Sequence, residues 1–247
     1  MSLLRIERLN KAYGSLAVTR DVTLTIEHGE RHVIIGPNGA GKTSLINQLG
    51  GQIRADSGSI FMNGTDITHA PPEARLKHGI CRTFQKNTLF QGLSVFENVR
   101  LGIGSRYGQP FNLFARIDGN DDLNRRTWAI LARTELEHVA GQRVASLSYG
   151  DQRRIEVAAA LAGEPKLLLL DEPTSGLSPA ETQQMIGFIR TLPDDLSIIM
   201  IEHDMEVVFQ IAHRISVLYY GEVLMTGAPD EVSGNERVRE VYLGAGI

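Results

Sequence analysis

One short run of residues has the types and spacing to hold phosphate. Gly36 to Thr43 read Gly-Pro-Asn-Gly-Ala-Gly-Lys-Thr, the pattern G-x-x-x-x-G-K-[ST] of a phosphate-binding loop. Glycines let such a loop curl until successive N–H groups face phosphate oxygens, and a following helix adds the positive end of its dipole. The expected contacts are Asn38, Gly39, Gly41 and Ser44 around the phosphates, with Lys42 reaching the β- and γ-phosphates and the Thr43 hydroxyl on Mg2+. A metal held this way needs a second anchor, usually an Asp at the end of a buried strand, and Asp171 follows four leucines. Glu172 is then placed to polarise an attacking water. His203 follows another apolar run and is a candidate donor to a γ-phosphate oxygen. A second glycine-containing helix start, Leu147-Ser-Tyr-Gly-Asp151, is either a plain capping box from Ser148 to Asp151 or a second anion site. It lies too far along the chain to share the first loop's phosphates, so its natural use is a nucleotide held by a partner subunit.

The elements that must position these groups are legible from periodicity. Arg31 to Ile35 reads as a buried strand feeding the loop, and Ser44 to Leu49 as the helix leaving it. Upstream, Leu3 to Leu9 and Val22 to Ile26 read as strands, with Tyr13 in a turn between them. Ser59 to Met62, a helix opening at Pro71-Pro72, and a strand over 80–84 follow. Ser94 and Glu97 are spaced as a capping box for a helix over 94–101. Residues 102–119 read as a loop, and 121–137 as a helix. Alternation then resumes. Lys166 to Leu170 is a strand buried on both faces, 179–192 a helix, 196–201 a strand, and 204–212 a helix. A hairpin around Gly221 and a short helix over 236–243 close the chain. Ser178 and Pro179 suit the N-cap and first position of their helix. This order predicts one α/β domain over 1–247, with a catalytic core in 1–85 and 163–247 and an inserted helical subdomain over 86–162.

Composition narrows the function classes. A chain of 247 residues with net charge −4 and interspersed charges lacks the basic footprint of a nucleic-acid binder. No run approaches the ~18 apolar residues of a membrane span, and the first residues do not read as a secretory signal. The lone Cys81 fits a reduced core residue of a cytosolic protein.

Taken together, these motifs resemble the ATPase subunits of ABC transporters over essentially the whole chain. The resemblance implies a P-loop NTPase (RecA-like) α/β core with an antiparallel β subdomain and an inserted α-helical subdomain. It also implies ATP and Mg2+ as ligands. Lys42 and Thr43 match the Walker A motif, Asp171 and Glu172 the Walker B aspartate and catalytic glutamate, and His203 the switch histidine. Tyr13 falls at the adenine-stacking position, and Gln85 at the Q-loop, where the family contacts nucleotide and metal. Ser148 and Gly150 match signature residues that reach the partner's ATP. Two departures stand out: Tyr149 and Asp151 replace a glycine and the glutamine of the signature, and Ser178 replaces the usual D-loop aspartate.

Arg82 to Gln85, Ser94 to Val99, Ser148-Tyr-Gly150, Ile201 to Met205 and Val241 to Gly244 are similar to branched-chain amino-acid importers, with some features shared by importers of urea and short amides. The implied partners are a second ABC ATPase subunit, identical or paralogous, two membrane permease subunits and, indirectly, an extracytoplasmic solute-binding protein. The implied location is the cytoplasmic face of the membrane. Tyr107 to Phe114 would then face the permease, or alternatively pack within the helical subdomain, and 85–90 would form a groove for a permease helix. A lipid or lipopolysaccharide exporter's ATPase shares the Tyr-Leu-Gly tail, and a soluble ABC ATPase of the cluster-assembly type is a further alternative.

Overall fold

The computed structural model describes residues 2–83, 89–106 and 121–243. The chain opens with a long hairpin, β1 (Leu4–Tyr13) and β2 (Leu16–Ile26), and then enters β3 (Arg31–Ile35) and α1 (Lys42–Leu49). Next come β4 (Ser57–Met62), β5 (Thr65–Asp66), α2 (Pro72–Lys77) and β6 (Ile80–Arg82). The middle block supplies α3 (Val95–Arg106), α4 (Asp121–Arg133) and α5 (Tyr149–Leu161). The remainder alternates: β7 (Leu167–Asp171), α6 (Pro179–Thr191), β8 (Ser197–Ile201), α7 (Met205–Ile211), β9 (Arg214–Tyr219), β10 (Glu222–Gly227), α8 (Pro229–Gly234) and α9 (Glu236–Leu243).

Two sheets result. One is antiparallel, in the order β2-β1-β4-β5. The other runs β10-β9-β3-β8-β7-β6 and is parallel except for β10. Every residue of β7 and β8 is buried, because both faces of this sheet are covered. Side chains alternate between those faces. Ile34, Leu167, Leu169, Ile199 and Ile201 pack with α1 and the antiparallel sheet. Val33, Ile35, Leu168, Leu170, Ile198 and Met200 pack with α6 and α7 on the other side. A third apolar cluster joins α3, α4 and α5 through Val95, Val99, Ile103, Leu131 and Ile155.

One buried charge ties the layers together. Arg75 has no carboxylate partner among the described residues and donates to the carbonyls of Leu49, Thr68 and Ala70 at 2.8, 3.0 and 3.0 Å. Burial lowers its pKa to about 10, which leaves the guanidinium charged at neutral pH and fixed on the C-terminal end of α1.

The elements depart from the sequence-based expectation in four regions. Tyr13 is the last residue of β1, paired with Leu16 across a two-residue turn, and β2 starts six residues before Val22. Residues 102–106 extend α3 instead of forming a loop. Gly102 is helical there because it sits against α5: a Cβ at this position would lie 2.6 Å from the Ala159 carbonyl oxygen and 2.9 Å from the Ala162 Cβ. Helix α4 stops at Arg133, since Glu135 takes a left-handed φ of 54° and the Leu136 N–H returns to the Leu131 carbonyl. The short helix α8 was not foreseen. No helix among the described residues is long and apolar enough to cross a membrane.

Candidate functional site

Register brings the predicted groups to one edge of the large sheet. Strand β8 lies between β3 and β7, with Ile201 opposite Ile34 on one side and Asp171 on the other. The loop after β3, the acids after β7 and Glu202-His203 after β8 therefore emerge together at the carboxyl ends of parallel strands, where ligands of open α/β sheets bind.

The glycine loop is shaped by close backbone approaches. A Cβ on Gly36 would stand 2.1 Å from the Leu218 carbonyl oxygen, and one on Gly41 would stand 2.0 Å from that of Val18. Gly39 differs: its φ is 79°, yet nothing lies within 4 Å of where its Cβ would be, so its backbone borders open space. Helix α1 begins at Lys42 with no side-chain cap, leaving its first N–H groups available to an anion. The Lys42 ammonium folds back onto the carbonyls of Gly36 and Pro37 at 2.7 and 3.0 Å. Burial lowers its pKa, and the nearby charges of Glu172 and Asp171 oppose that shift. Thr43 is exposed and Ser44 half-buried at the same helix start.

Asp171 is fully buried and paired with Arg82 at the end of β6, Nη2 to Oδ2 at 2.9 Å, with the arginine side chain 8% exposed. Arg82 also donates to Asn47 on α1 and, at 3.2 Å, to Gln52. The other carboxylate oxygen, Oδ1, is buried without a hydrogen-bond partner among the described residues. Burial raises the Asp171 pKa, with Arg82 and Lys42 pulling it down and Glu172 pushing it up. A buried carboxylate oxygen left open within electrostatic reach of Lys42 at the glycine loop fits Mg2+, which favours oxygen donors and takes few protein ligands. No group of three or more acidic, His or Cys side chains suited to a metal occurs among the described residues.

Glu172 has a left-handed φ of 50°, a conformation costing on the order of 1 kcal/mol for a non-glycine residue and frequent at active sites. Its N–H donates to the Ile201 carbonyl at 3.0 Å. Buried Glu202 braces the same turn, accepting from the Thr174 N–H and hydroxyl at 3.1 and 2.5 Å and from the His203 N–H at 3.1 Å. The His203 side chain is left exposed. Tyr13 is 51% exposed at the tip of its hairpin, and Gln85 lies outside the described residues.

Ser148 and Gly150 are not part of this cluster of strand ends. Ser148 caps α5, accepting the Asp151 N–H at 3.1 Å and donating to the Asp151 carboxylate at 3.0 Å. Asp151 also faces Arg154 at 3.7 Å, so its charge is directed to its own helix. The Gly150 N–H donates to Glu181 on α6 at 3.2 Å.

Comparison with known proteins decides the family. The ABC transporter family profile matches residues 19–175. This chain belongs to the ABC transporter family. A second profile, described as branched-chain amino acid ATP-binding cassette transporter, matches 222–247 of this ABC chain. It is 32% identical to the probable branched-chain amino acid transport ATP-binding protein LivG of Archaeoglobus fulgidus, over 99% of this chain and 96% of that one. It is 33% identical to the lipopolysaccharide export ATP-binding protein LptB of Haemophilus influenzae, over 99% and 98%.

Among solved structures, the ADP conformation of MJ1267, an ATP-binding cassette of an ABC transporter, has a TM-score of 0.87 at 28% identity over 99% of both chains. A dimeric post-hydrolysis state of the cassette MJ0796, bound to ADP and Pi, has a TM-score of 0.74 at 25% identity over 92% of this chain and 98% of that one. The cassette thus has the P-loop NTPase fold, binds nucleotide and is an ATPase.

Arg82, Glu202 and Glu181 are the site neighbours that motif reading does not assign. A basic residue ending an apolar strand was the available signal for Arg82. For the two glutamates only the folded contacts reveal the role.

Proposed function

We propose that this ABC ATPase drives a membrane importer for branched-chain amino acids or related amides from the cytoplasmic face. The observation that carries the reading is the branched-chain profile over 222–247, combined with LivG similarity over nearly the whole chain. In this reading two subunits, identical or paralogous, clamp two ATP molecules head-to-tail beneath two permease subunits that receive solute from a binding protein. The dimeric MJ0796 neighbour supports that arrangement.

Each residue then has a task. Tyr13 stacks on adenine; the backbone from Asn38 to Gly41 and the Ser44 hydroxyl surround the phosphates; Lys42 leaves its carbonyl partners for the β- and γ-phosphates. Thr43, Gln85 and Asp171 would hold Mg2+, directly or through water. When bound, Mg2+ would neutralise charge on the β- and γ-phosphate oxygens. Glu172 accepts a proton from the attacking water as its oxygen bonds to the γ-phosphorus and the bond to the ADP oxygen breaks. His203 donates to a γ-phosphate oxygen. Ser148 and Gly150 contact the ATP seated in the other subunit. Residues 86–162 serve as a helical subdomain carrying those contacts, and 1–85 with 163–247 as the catalytic core. Phosphate loss opens the clamp and resets the permease.

Uptake of labelled leucine by cells lacking the chain tests the substrate class. Restoration by the wild type but not by Glu172→Gln is expected; unaffected uptake contradicts the importer reading. The LptB similarity favours a second reading, an exporter ATPase, which predicts defective lipopolysaccharide export with normal uptake.

A further inference from the structure

The Gly150 N–H, which the proposed clamp offers to the other subunit's ATP, is already engaged within its own chain. It donates to Glu181 Oε1 at 3.2 Å. The contact is close along the whole side chain: a Cβ on Gly150 would lie 3.0, 3.1 and 3.2 Å from Oε1, Cγ and Cβ of Glu181. The other oxygen, Oε2, accepts from the Ser178 N–H at 3.0 Å and the Ser178 hydroxyl at 2.7 Å, completing the capping box of α6. A neighbouring contact reinforces the arrangement, since Tyr149 lies over Gly176, 3.3 Å from where its Cβ would be. The two residues at the start of α5 are thus matched by Gly176, just before α6, and by Glu181 in its first turn.

These bonds hold the Glu181 carboxyl below the usual carboxylate range, first through the Ser178 hydroxyl, then through the Ser178 and Gly150 N–H groups. The group is ionised at neutral pH. It is an anion standing where a phosphate anion must come, and one N–H cannot serve both fully. Two anions a few ångströms apart also repel. We infer that Glu181 is a tethered stand-in for phosphate: it occupies the signature N–H in the open subunit and must yield it before the clamp closes on ATP. The inference rests on the two-subunit reading above. Oε1 can swing away while Oε2 stays on Ser178, so α6 keeps its cap. The carboxylate therefore sets how readily two nucleotide-loaded subunits join, without altering how one subunit takes up nucleotide.

Sedimentation of the purified chain with Mg2+ and a non-hydrolysable ATP analogue, over a range of subunit concentrations, measures that affinity. Glu181→Gln keeps a capping-box side chain but offers a neutral acceptor, a weaker partner for an N–H. It should dimerise at a subunit concentration lower by roughly fivefold, with unchanged analogue affinity at dilutions where the chain is monomeric. Ser178→Ala, which removes the hydroxyl cap but leaves the carboxylate, should not move the dimerisation midpoint. An unmoved midpoint in Glu181→Gln, or an equal shift in Ser178→Ala, overturns the inference while leaving the clamp intact. If wild type and both variants bind the analogue yet all stay monomeric, the clamp itself fails and the inference with it.

Discussion

Lys42 is held against two carbonyls in a setting that disfavours its charge, a cost that stability alone would not select. Lys42→Met should therefore abolish ATP binding while leaving the nucleotide-free chain at least as resistant to urea as the wild type. A clearly less stable variant would show that the lysine braces its loop instead of waiting for phosphate. Arg82 behaves in the opposite way. Removing one partner of a buried ion pair typically costs about 3–5 kcal/mol, so Arg82→Met should lower the urea midpoint well beyond a surface change. The pH dependence has a fixed sign. Folding raises the Asp171 pKa, so the native state binds that proton more tightly than the unfolded chain. Its contribution to stability is greatest below the ordinary aspartate range and declines as pH rises through the native value. Without Arg82 the decline steepens, and the deficit of Arg82→Met should be larger at pH 7 than at pH 4. The glycine loop and the Asp-Glu pair were legible because each sits within a few consecutive residues. The Arg82–Asp171 and Gly150–Glu181 contacts join positions 89 and 31 residues apart, and no local pattern encodes such pairings.

At the scale of elements, the central strands β7 and β8 were legible since burial on both faces writes itself as apolar runs. The α6 start was equally plain, because Ser178, Pro179 and Glu181 are cap chemistry in order. Helix α3 runs on past Gly102, where a loop was expected, because that glycine is a packing residue against α5 and not a break. That distinction makes a prediction. Helix propensity alone would have Gly102→Ala stabilise the chain by about 1 kcal/mol. The Ala159 carbonyl and Ala162 methyl leave no room for the added carbon, so overpacking should destabilise it by about 1–3 kcal/mol instead. Urea unfolding of the single variant decides the sign. The helical cluster of α3, α4 and α5 is the part of the molecule that this change should loosen first.

For the whole molecule, one chain carries a glycine loop and the Asp171-Glu172 pair at one edge of the large sheet, and a second helix start that faces α6. Nothing in one subunit brings Ser148 to that edge among the described residues; Ser148 is bonded to its own helix instead. In the two-subunit clamp proposed above, hydrolysis needs a second subunit. ATP turnover per subunit, measured while the chain is diluted from micromolar into a range where sedimentation shows only monomer, tests this most directly. Turnover should be constant at high concentration and fall in step with the dimer fraction. Turnover per subunit that holds its value in strictly monomeric solution would contradict it.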